Sequence, residues 1–185
     1  TQSEVDAAAS FARSGPLRTR AIRNCQTTMM RSTPADRDVT GVTALQYDPW
    51  ADLAGRADLT LSWRHQKPCG QYFHHDRVIA LRRGLTGAQA RSTLAHELVH
   101  AERGDVGLSD AALDARQELI VQREAARRLI PLAALADAVR WTCHPAEAAE
   151  LLHVDRGTLR TRLAMLTEAE KLVLDAAAGE HEAAA

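Results

Sequence analysis

The sequence predicts an α+β fold: a small antiparallel sheet packed on one long helix, followed by a C-terminal helical part with a helix-turn-helix-like layout. Three observations predict it. Apolar and polar residues alternate over Leu59–Trp63, and two more short strand-like runs follow at Gln71–Phe73 and Arg77–Leu81. Leu94, Ala95, Leu98 and Val99 then recur at helical spacing. Beyond Asp110 the chain reads as helix, broken by Pro131, by Pro145 and by a turn at His153-Val154-Asp155.

The chain has 185 residues, enough for one sizeable domain or for a domain plus a small appendage. Three segments are expected: an N-terminal extension over 1–46, the main domain over 47–141, and a C-terminal helical subdomain with a frayed tail over 142–185. A net charge of −1 gives no general attraction to nucleic acid or membrane. No apolar run approaches spanning length and no signal-peptide core is visible. Three scattered cysteines, Cys25, Cys69 and Cys143, make a disulfide framework improbable and fit a reducing, cytoplasmic setting.

In the extension, Ser3–Arg13 has the makings of a short helix, ended by Ser14-Gly15-Pro16. Arg18, Arg20, Arg23 and Arg31 form a mildly basic stretch. A poorly ordered extension accounts for it better than a nucleic-acid-binding arm does. Asp48-Pro49 then suggests an N-cap with proline at the first helical position. His74-His75-Asp76, between two of the strands, read as exposed turn residues, although they lie within reach of a substrate or metal in some arrangements. Thr86-Gly87-Ala88-Gln89 reads as a capping box opening the long helix, and Gly104 suits its left-handed end. Ser109-Asp110 caps a second helix over Ala111–Ile130, and Leu132–Trp141 makes a third. The Ala/Glu-rich tail, Ala176–Ala185, reads as frayed.

The long helix carries His96-Glu97-Leu98-Val99-His100. Residues four apart lie on one helical face, so His96 and His100 can offer two imidazole nitrogens to one metal ion. Glu97 stands beside them, placed to take a proton from water at that ion. A catalytic zinc needs a third protein ligand. Asp105 misses the register in which a glycine three residues after the second histidine swings the chain back, and suits a bond to an imidazole N–H instead. If the second helix returns antiparallel, Glu118 falls opposite the histidines and shares an inward face with Val121, Ala125 and Leu129. Glu124 is the alternative ligand, about 9 Å further along.

The stretch from Tyr47 to Trp141 resembles the ImmA/IrrE metallopeptidases. The resemblance runs through Asp48-Pro49, Gly70-Gln71-Tyr72, Val78–Leu81, Thr93–Ala101, Arg116-Gln117-Glu118 and Ala125–Pro131. Two places differ: Val121-Gln122 replaces the family's Ala-Asn or Ala-Asp pair, and Glu124 replaces an aromatic residue. The resemblance implies a zincin-like metallopeptidase fold with an added helical part. It places the ligand glutamate at Glu118. It also implies a zinc-dependent endopeptidase that cleaves a helix-turn-helix repressor, releasing phage, mobile-element or stress-response genes. Zn²⁺ is the expected ion, with Mn²⁺ as the second candidate.

In this reading Glu97 is the general base, and Val78–Leu81 could pair with an extended substrate. Tyr72, His74, His75 and His144 are candidate donors to an oxyanion. The competing reading is a DNA-binding regulator with a structural or vestigial metal site. Ala149, Leu152, Val154 and Leu159 occupy small or apolar helix-turn-helix positions, and Arg156, Arg160 and Arg162 could meet phosphates. Glu147 and Glu150 disfavour DNA there, so packing or partner binding is the preferred role.

Overall fold

The computed structural model describes residues 47–107 and 110–184. The N-terminal extension, with its expected helix and basic stretch, lies outside the described residues. The elements are α1 (Pro49–Ala54), β1 (Thr60–Arg64), β2 (Gly70–Phe73), β3 (Val78–Arg82), α2 (Gly87–Arg103), α3 (Ala111–Leu129), α4 (Leu132–Trp141), α5 (Pro145–Leu151), α6 (Arg156–Ala164) and α7 (Glu168–Ala184). The α+β class is as the sequence predicts.

Local chemistry sets most of the boundaries. Asp48 caps α1 by accepting from the Trp50 N–H at 2.9 Å, with Pro49 at the start. The capping box of α2 is complete: Gln89 N–H donates to Thr86 Oγ1 at 3.2 Å, and Thr86 N–H donates to Gln89 Oε1 at 3.0 Å. Gly104 closes α2 in the left-handed region at φ 66°. Asp110 caps α3 through the N–H groups of Ala112 and Leu113.

The sheet is mixed rather than wholly antiparallel. Its order is β1-β3-β2, with β1 parallel and β2 antiparallel to β3. The reason lies in side-chain polarity. Ile79, Ala80 and Leu81 are fully buried, so β3 takes the centre, where both faces and both edges are covered. The more polar β1 and β2 take the edges. Even Trp63, at an expected inward position of β1, is 40% exposed and stacks on Trp50 with ring centroids 6.5 Å apart. A central β3 has no free edge, so Val78–Leu81 cannot receive a substrate strand. Only β1 and β2 can.

Helix α2 stands between two apolar clusters. Leu94, Leu98 and Ala101 pack with Leu59, Ile79 and Leu81 of the sheet side. Ala95 and Val99 join Val121, Ala125 and Leu129 of α3 and the later helices. The helices beyond residue 141 share this second cluster, contributing Ala149, Leu152, Val154, Leu159, Leu174 and Ala177. Polar ties reinforce the join. Arg91 of α2 donates to the carbonyls of His153 at 3.1 Å and Tyr47 at 2.8 Å, and Ser92 Oγ accepts from Asp155 N–H at 3.1 Å.

The chain ends in a helix. α7 runs to Ala184 and buries Leu174 and Ala177, three residues apart on one face, against the cluster that contains α4. Thr167 and Glu170 form a capping box at its start. Cys69 is a free, exposed thiol. No helix among the described residues is long and apolar enough to cross a membrane.

Candidate metal and catalytic site

With two faces of α2 committed to apolar packing, His96 and His100 emerge on the third, toward α3. Their Nε2 atoms lie 3.1 Å apart. Glu118 of α3 reaches both: Oε2 is 3.2 Å from His96 Nε2, and Oε1 is 3.0 Å from His100 Nε2. On the other side of the His100 ring, Nδ1 lies 3.0 Å from Asp105 Oδ2. A carboxylate at Nδ1 favours the tautomer with N–H there, which leaves the Nε2 lone pair directed at the site.

This donor set fits a divalent metal. The two Nε2 atoms lie at 3.1 Å, and with both lone pairs turned inward they present two nitrogen donors to one point. Ligand bonds of about 2.0–2.1 Å in a tetrahedron put ligand atoms roughly 3.3 Å apart, near the separations seen. The three ligand atoms lie within 4.8 Å of one another, so His96, His100 and Glu118 could hold one ion.

With no ion between them, the histidines act instead as hydrogen-bond donors to Glu118. Hydrogen bonds from His100 and then His96 hold the Glu118 carboxyl far below the ordinary glutamate range. Burial alone would lower the His100 pKa, but the Glu118 hydrogen bond, the nearby Glu97 and the Asp105 contact together raise it. Glu97 is 5% exposed, and burial pushes its carboxyl upward against the opposing pull of His96 and His100. A buried carboxyl with a raised pKa, beside His96, His100 and Glu118, suits proton transfer.

What positions Glu97 is the part that residue spacing did not reveal. A Cβ on Gly70 would sit 2.4 Å from Thr93 Cγ2 and 2.6 Å from Glu97 Oε1. Only glycine lets β2 approach α2 this closely. The Tyr72 backbone beside it favours the charged form of the Glu97 carboxylate. Arg82 N–H donates to Cys69 O at 2.8 Å, so by strand alternation Gly70 and Tyr72 turn their backbone groups away from β3. The outer edge of β2 therefore ends beside Glu97. A glycine opening a short strand was the one available signal.

The remaining candidates are dispersed. Glu124 is not at the histidines; its Oε1 accepts from Arg128 Nε at 2.9 Å. The Tyr72 hydroxyl is bonded by Arg77. His74 stacks edge-on with Tyr72 and His75, and its Nδ1 is buried without a partner among the described residues. His75 is exposed, and His144 starts α5 among the C-terminal helices. Arg162 is buried: its Nε donates to Ile130 O at 2.9 Å and its guanidinium pairs with Glu170 at 2.7 Å. It is therefore withdrawn from any phosphate.

The family model of the IrrE N-terminal-like domain, peptidase M78, matches residues 61–164. No curated protein and no solved structure matches the chain. The match begins in β1, takes in the whole of α2 and α3, and ends with α6. Matched over more than half its length, the chain belongs to the peptidase M78 family of IrrE N-terminal-like domains.

Proposed function

We propose that this peptidase is a zinc-dependent endopeptidase that cleaves a helix-turn-helix transcriptional repressor and so derepresses phage, mobile-element or stress-response genes. The observation that carries the chemistry is the meeting of His96, His100 and Glu118 within 4.8 Å, beside the buried Glu97. Those three side chains would hold the ion. The mixed nitrogen and oxygen set suits zinc, with manganese second. A bound divalent ion supplies Lewis acidity, polarising a carbonyl and bringing the acidity of water near neutral pH.

Glu97 accepts the proton of the attacking water and delivers it to the leaving amine. Asp105 fixes the His100 ring. An extended substrate segment lies along the outer edge of β2, where outward backbone groups of Gly70 and Tyr72 bring it past Glu97. The choice of a repressor as substrate rests on the resemblance to the ImmA/IrrE metallopeptidases.

The DNA-binding reading is weaker. α5, its turn and α6 do form a helix-turn-helix-like pair, and Arg156 and Arg160 are exposed. Arg162 is buried and paired, and Leu159 of α6 lies in the cluster that α3 shares. That supports packing or partner binding for this pair.

The test is Glu97→Gln, assayed on a repressor encoded beside this chain. The expected outcome is wild-type zinc content by metal analysis, with cleavage reduced by at least about a hundredfold. Cleavage at the wild-type rate would remove Glu97 as the base. A wild-type protein that binds no divalent ion would remove the metallopeptidase assignment.

A further inference from the structure

A groove of about 430 Å³ opens along the same two helices that carry the site, and its rim is cationic: Arg103 of α2 with Arg123, Arg127 and Arg128 of α3, against the single carboxylate of Glu124. Its apolar lining comes from Val99, Ile120 and Met165. We propose that this groove is a docking site for an acidic segment of a protein substrate, a short stretch in which carboxylates flank an apolar side chain. The inference rests on the peptidase reading for the source of that segment.

Charge complementarity argues for it. Glu124 is already bonded to Arg128, which also pairs with Glu102 at 2.7 Å. Arg103 holds Asp105 at 3.0 Å. Two cations remain available. Arg123 is exposed and is held by no carboxylate among the described residues. Arg127 has a side chain 65% exposed, and its contact with Glu124 is long, at 3.7 Å. Guanidinium groups bind carboxylates through two parallel hydrogen bonds, which suits aspartate or glutamate side chains. The apolar lining between them suits one aliphatic side chain.

Nucleic acid fits less well. The groove has no aromatic side chain on which a base could stack, and Glu124 would oppose a regular row of phosphates. The position also has a use. Val99 immediately precedes His100 on α2, and Ile120 follows Glu118 by two residues on α3. Residues two apart on a helix face different ways, so a segment held there is anchored to the same two helices on another face from the metal-ligand candidates; tethering still raises the local concentration of the rest of that chain.

The experiment is fluorescence anisotropy on the full chain in a Glu97→Gln background, so that no probe is cut. The probes are a labelled Glu-Glu-Leu-Glu-Glu peptide and a labelled oligothymidylate of equal charge. The acidic peptide should bind more tightly than the oligothymidylate, and the double charge reversal R123E/R127E should weaken it by about tenfold or more. R123Q/R127Q should give an intermediate loss, and it decides the matter if the reversal variant unfolds at a lower temperature. No peptide binding, equal binding by these variants, or tighter binding of the oligothymidylate overturns the proposal. The peptidase reading fails separately: a metal-loaded wild-type chain that cleaves no protein while binding the peptide removes the catalytic assignment and leaves the groove.

Discussion

At His100 the two ring nitrogens have separate tasks. Nδ1 faces Asp105, and Nε2 faces His96 and Glu118. The pairing with Asp105 was legible from the chain, because a short turn after Gly104 leaves that carboxylate beside the helix end. The histidines and Glu97 were legible for a similar reason: helical spacing is a local property. Gly70 was not, because its role is set by how closely a strand comes to a helix far away in sequence. Gly70→Ala should therefore act at a distance. An added methyl group must displace Thr93 or the Glu97 carboxylate. Denaturant unfolding should show a loss of about 1–3 kcal/mol. Peptide cleavage should fall by more than that loss of folded protein explains. An alanine variant with wild-type stability and activity would mean that β2 does not set the position of Glu97.

Among the elements, α7 is the one whose role composition concealed. Alanine and glutamate repeats look like a fraying end, yet they are strong helix formers, and Leu174 and Ala177 give the helix an inward face. The Thr167 cap and the buried Arg162 fasten its first turn. The backbone N–H of Thr167, and then Arg162, hold the Glu170 carboxyl at about 2, below its ordinary 4.5. A folded-state pKa below the unfolded one contributes stability that is fully present above pH 4.5 and is lost as pH falls through 2. The wild type should thus be more stable than Glu170→Gln at neutral pH, and the difference should shrink on acidification across that window. Thermal unfolding at a series of pH values checks it; a difference that grows toward low pH would contradict the pairing. The sheet illustrates a different limit. Each strand was readable, but the central place of β3 follows from comparing three strands for burial, which no single strand reveals.

For the whole molecule, the proposed metal site would be a clasp between two consecutive helices. His96 and His100 come from α2 and Glu118 from α3. A ligand that binds only the folded state stabilises it by about 2.7 kcal/mol at a hundredfold excess over Kd. For a chain of this size that corresponds to a rise of roughly 5–10 °C in Tm on adding zinc, reversed by a chelator. His100→Ala should abolish the response, and a metal-independent Tm in the wild type would argue against a shared ion. The position of α2 has a consequence of its own. Because one helix is a wall of both apolar clusters, neither can melt while the other keeps its lining. Heat should therefore give one cooperative endotherm across sheet and helices, with the backbone amides of Leu94–Val99 the slowest to take up deuterium.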